Sequence, residues 1–150
     1  MREPRKCVVG IVVVLSACVH QSCTRTCDVE QIGKDLAGKG ATDCGQLVIG
    51  PGARVGADGG ISEGVSCALE AQDAGHAFWL YVVLNAVDVG TTYVFLRTPS
   101  GQSLQLSQDY SANFGGSKSA VTQFACGSFA SDPSTALACQ SPQAQTTVCN

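Results

Sequence analysis

Charge is scarce in this chain of 150 residues: 14% of residues are Asp, Glu, Lys or Arg, and the net charge is -3. No basic patch is present that could neutralise a run of phosphates, which excludes nucleic acid as a partner. Histidine is nearly absent, with only His20 and His76, so few acid–base pairs can be drawn. A membrane-crossing helix needs about 20 consecutive apolar residues, and the longest uncharged apolar run, residues 7–15, is too short. What is abundant is the apolar fraction, 45%, together with nine cysteines. The first suits one globular domain. The second implies an oxidising compartment, because thiol pairs persist there and not in the cytosol.

The N-terminus carries the clearest pattern. Arg2, Arg5 and Lys6 form a basic head, and Cys7 to Leu15 is the apolar run, of the length of a signal-peptide core. Leu15-Ser16-Ala17-Cys18 follows. This block resembles the lipobox of bacterial lipoproteins: a leucine, two small residues, and the cysteine that becomes the new N-terminus. The resemblance implies removal of residues 1–17, lipidation of Cys18, and attachment to a membrane through that lipid. Without residues 1–17 the net charge is about -5. Val19 stands after the cysteine, and in the family's sorting pattern a residue other than Asp there implies the outer membrane.

Residues 18–42 read as a lipidated tether holding a short helix. Val29, Ile32 and Leu36 share one helical face, Asp28 is placed to cap the start, and Gly38 and Gly40 can end it. The domain proper is expected over 43–127. Gln46 to Ile49 is a short strand, then a turn-rich loop runs to Gly60, and Ser62 caps a helix over about 62–74 with Gly75 at its end. The period then changes from helical to alternating. Phe78, Leu80, Val82 and Leu84 fall on one side of a strand, with Trp79, Tyr81 and Val83 on the other. Further strands at 91–97, 103–107 and 120–126 complete an antiparallel meander. Residues 128–150, rich in Ser, Ala and Gln with Pro133 and Pro142, are expected as an irregular tail pinned by disulfides. The fold class expected is α+β: one helix packed on a curved antiparallel sheet of about four strands, disulfide-stapled. That element order over 62–126 resembles the cystatin-like and related single-helix sheet folds, with no motif shared.

With Cys7 removed and Cys18 acylated, seven thiols remain, and sequence does not fix their pairing. Cys44 with Cys67, and Cys126 with Cys139 or Cys149, are the preferred bridges. Cys23 and Cys27 fall in the tether, where with His20 they make only a weak metal pattern, so no metal site is assigned.

No catalytic or cofactor residue is assigned either. Gly60-Ile61-Ser62-Glu63-Gly64 matches the nucleophile-elbow pattern, yet the one downstream histidine, His76, lies at the far end of the same helix. Gly50 to Gly56 has the wrong glycine spacing for a dinucleotide loop. Asp88, Asp109 and Tyr110 could form a polar cluster at a sheet edge. Trp79 and Tyr81 form the candidate interaction surface if the helix takes the other side of their strand. The function expected is a membrane-anchored, non-catalytic binding or structural module of the cell envelope, its partner an envelope protein or polymer. A small exported hydrolase is the alternative, which would require a nucleophile paired with a base.

Overall fold

The computed structural model describes residues 27–55, 62–86, 89–111 and 119–149. Helix α1 spans Val29–Ala37 and strand β1 Thr42–Ile49; helix α2 spans Glu63–Asp73. Strands β2 (Phe78–Asn85), β3 (Val89–Arg97), β4 (Ser103–Ser111) and β5 (Val121–Cys126) follow. The C-terminal part supplies β6 (Ser128–Asp132), β7 (Ala136–Gln140) and β8 (Thr146–Cys149).

The main sheet has six strands in the order β1-β2-β3-β4-β5-β8, and β6 pairs with β7 in a separate hairpin. β1 runs parallel to β2, which requires a crossover, and α2 supplies it. The other neighbours are antiparallel. One helix on a four-strand antiparallel sheet is therefore not the fold. The described residues are mostly β, with a mixed six-strand sheet, a two-strand sheet and two short helices.

Two cores form because strand side chains alternate between faces. Phe78, Leu80, Val82 and Phe95 point to one face and are closed over by Val65, Ala68 and Ala71 of α2 and by Phe129 of β6. Phe129 meets Phe78 and Phe95 edge-on, with ring centroids 6.1 and 5.6 Å apart. The Gln72 amide fastens α2 to the hairpin by bonding both the N–H and the C=O of Phe129, at 2.7 and 3.1 Å. On the opposite face Val94, Leu96, Leu104, Leu106 and Val121 are covered by Val29, Ile32 and Ala37 of α1.

Both helices begin and end by identifiable chemistry. Asp28 Oδ1 accepts from the N–H groups of Glu30 and Gln31, at 3.0 and 3.2 Å, satisfying two donors that the first turn of α1 leaves unpaired. Ser62 Oγ does the same for Val65 of α2 at 3.3 Å. At the other end of α2 Gly75 takes φ of 73°. The N–H of Gly75 then bonds the carbonyl of Gln72 and that of His76 the carbonyl of Ala71, the paired closure of a Schellman motif.

Two domain boundaries move. Residues 27–42 are not spacer, since α1 seals one face of the sheet; of the expected tether, only residues 18–26 precede the described fold. Residues 128–149 are not an irregular tail, since they contribute a hairpin and an edge strand. Pro133 sits in the turn of that hairpin, where Asp132 Oδ1 accepts from the N–H groups of Ser134 and Thr135, both at 2.8 Å.

Three disulfides hold these layers together. Cys44–Cys67 ties β1 to α2, and Cys126–Cys139 ties β5 to β7. Cys27–Cys149 joins the residue before the α1 cap to the end of β8, across 122 residues. Cys149 is thus the partner of Cys27 and not of Cys126.

Candidate functional site

Beyond the N-terminal end of α1 the helix stops covering the sheet and leaves a slot of about 190 Å³. Register explains its shape. Val83, Thr92 and Gln108 are consecutive partners across β2, β3 and β4, so they form one row and make the floor. The next row toward α1 brings Tyr81, and the next row away brings Tyr110. Val29 of α1 closes the back.

Each wall has a structural reason to be where it is. Tyr110 pairs with Gly90, and a Cβ on Gly90 would collide with the Tyr110 ring, so the ring lies across the glycine. Its hydroxyl donates to Asn85 Oδ1, which pins the ring. Tyr81 is half-buried. Burial raises its phenol pKa above the ordinary range, and the carboxylates of Glu30 and Asp28, then Tyr110, raise it further.

Gln108 is the keystone of the floor, with only 2% of its surface exposed. Its amide nitrogen donates to the carbonyls of Cys27 and Ser119, at 2.9 and 2.8 Å. Thr92 is also buried, its hydroxyl donating to the Gln108 carbonyl at 3.0 Å. Neither residue stands out in the sequence. A signal was present nonetheless: Leu104, Leu106 and Gln108 alternate on one side of β4, so an amide falls in a row otherwise occupied by leucines.

Trp79 and Tyr81 do not form an open face. α2 takes the Phe78 side, the condition for such a surface, but α1 packs against the other side, leaving Trp79 and Tyr81 partly buried against it. The Lys34 ammonium sits 4.6 Å from the centre of the Trp79 ring and is ion-paired with Glu30 at 2.5 Å. Only Tyr81 reaches the slot.

The remaining motifs disperse. Asp109 and Tyr110 are adjacent in one strand, so their side chains point to opposite faces. Asp109 accepts from Thr91 Oγ1 at 2.7 Å, away from the slot, and Asp88 lies outside the described residues. Ser62 is occupied as a helix cap and His76 is exposed past the end of the same helix. Ala53 N–H bonds the carbonyl of Gly50 in a tight turn, so the glycine-rich segment opens no helix there. Cys18, His20 and Cys23 lie outside the described residues.

Fold and slot together define a disulfide-stapled, three-layer module with a small neutral recess on one sheet face. The chain matches no protein-family model, no curated protein and no solved structure.

Proposed function

We propose that this protein is a lipid-anchored module of the bacterial cell envelope, cleaved before Cys18, acylated on it, and sorted to the outer membrane. In this reading it binds a partner and catalyses no reaction. The observation that carries the anchoring is Leu15-Ser16-Ala17-Cys18 directly after a basic head and a nine-residue apolar run. Three disulfides support export, since such bridges belong to oxidising compartments.

The distance from anchor to fold is short. Eight residues separate Cys18 from Cys27. Even fully extended they reach about 30 Å, so the domain stays close to the headgroups. Two or more acyl chains on Cys18 would hold it there stably, at about 0.8 kcal/mol per buried CH₂. Gln108, in the floor of the slot, bonds the Cys27 carbonyl, so the recess lies at the end of the domain to which the tether is joined.

The test is labelling with palmitate in a bacterial host. The protein takes up label and partitions into detergent, and Cys18→Ser abolishes both. Label retained by Cys18→Ser overturns the proposal.

A further inference from the structure

The polar groups of the slot have spent their protons on the protein. Both N–H groups of the Gln108 amide go to backbone carbonyls, and the Thr92 hydroxyl goes to a third. The Tyr110 hydroxyl goes to Asn85. What these groups have left to offer is lone pairs. Gln108 Oε1 in particular accepts no hydrogen bond among the described residues. Of the residues that line the slot, Tyr81 alone keeps a hydroxyl proton with no acceptor among the described residues.

That asymmetry selects among ligands. An anion would meet lone pairs, with the carboxylates of Asp28 and Glu30 close enough to act on the Tyr81 phenol. A sugar brings acceptors as well as donors, and its acceptors would find almost nothing to bond. A purely apolar group would cover Gln108 Oε1 and leave it unsatisfied, which is costly in a buried site. An ammonium head has no lone pair to leave unmatched: a primary one donates N–H bonds, a fully methylated one meets an oxygen lone pair through its charge alone, and either is drawn to the faces of tyrosine rings.

We propose that the slot binds a small organic ammonium group, primary or methylated. Its charged head meets Gln108 Oε1 and the rings of Tyr81 and Tyr110, and its apolar stem lies on Val29 and Val83. The volume suits this, since an apolar cavity of about 150 Å³ holds one benzene ring. Lys34 does not oppose it, being neutralised by Glu30 and directed to Trp79. The inference rests on the reading of this protein as a binding module. The shared chemistry has two sources, the amine headgroup of a phospholipid and a soluble amine.

Calorimetry on the mature protein in nonionic detergent tests it, using choline, ethanolamine and the neutral carbon isostere of choline. The cations bind, and the isostere binds about tenfold more weakly or not at all, the difference expected when a cation–π contact is lost. Equal binding of choline and its isostere, or binding of neither cation, overturns the proposal. Val83→Trp fills the slot and abolishes cation binding; if that variant does not fold, Tyr110→Leu removes one ring and weakens binding several-fold. A folded Val83→Trp protein, or a folded Tyr110→Leu protein, that binds choline as well as the parent also overturns it. Vesicles of ethanolamine phospholipid that compete with free ethanolamine assign the lipid headgroup as the source, and vesicles that do not compete assign a soluble amine. Failure here with palmitate labelling of Cys18 intact removes the ligand and leaves the anchor. Loss of labelling with cation binding intact does the reverse.

Discussion

Cys27 and Cys149 are 122 residues apart in the chain and covalently joined, with Cα atoms 5.8 Å apart. The bond sits where the residue before the α1 cap meets the end of the edge strand β8, so it joins the two ends of the described fold. Closing a loop of this length stabilises by about 4–5 kcal/mol on the chain-entropy model. Cys27→Ser or Cys149→Ser should therefore cost about 4 kcal/mol in denaturant unfolding, more than Cys126→Ser, whose bridge closes 13 residues at about 3 kcal/mol. A cost below about 1 kcal/mol for Cys27→Ser would show that this bridge constrains little.

Gly33 lets α1 approach the sheet. A Cβ there would lie 2.5 Å from Val94 Cγ1 and 3.1 Å from Val94 Cβ, and a β-branched side chain in a strand cannot swing away. Helix propensity alone favours Ala over Gly by about 1 kcal/mol. Overpacking typically costs about 1–3 kcal/mol, so Gly33→Ala should lower stability by about 1 kcal/mol despite the better helix former. A Gly33→Ala protein with a raised melting temperature would mean that the helix lies farther from β3.

α1 itself was legible in the sequence and its role was not. Asp28 as cap, the Val29, Ile32 and Leu36 face, and the glycines after Ala37 mark the helix, because caps and periodicity are local. What that face packs against is a long-range fact, decided by Trp79, Val94 and Leu106, 40 or more residues away in the chain. The strands at 78–126 were legible for the same local reason. The parallel pairing of β1 was not, because a run of three apolar residues, Leu47 to Ile49, carries no partner or direction. β6 and β7 are half Ser and Ala and lack the β-branched residues by which strands are recognised. Asp132-Pro133-Ser134 was the overlooked turn signal. The slot was least legible, since Thr92 and Gln108 become a site only through register across three strands.

Tyr81 and Tyr93 should titrate late. Burial is the first cause for both, followed by the Glu30 and Asp28 carboxylates at Tyr81 and the Asp109 carboxylate at Tyr93. Because the folded-state values are raised, these phenols favour the fold at every pH below the ordinary phenol value of about 10, and that contribution is lost as pH rises through the raised values. Spectrophotometric alkaline titration should show these two tyrosines ionising above a model phenol and unfolding accompanying them. Ionisation of Tyr81 together with free tyrosine would contradict the packing of α1 against it.

The six cysteines among the described residues are all bonded to one another. If Cys7 departs with the leader and Cys18 is acylated, Cys23 is left over. The mature protein should then react with one equivalent of thiol reagent under denaturing conditions, and the modified peptide should contain Cys23. Two equivalents, at Cys18 and Cys23, would show that Cys18 carries no lipid.

The most direct measurement is the mass of the N-terminal peptide of the mature protein isolated from bacterial membranes. The account predicts a peptide that begins at Cys18 and carries a diacylglycerol on its sulfur. A peptide that begins at any other residue, or at an unmodified Cys18, contradicts it.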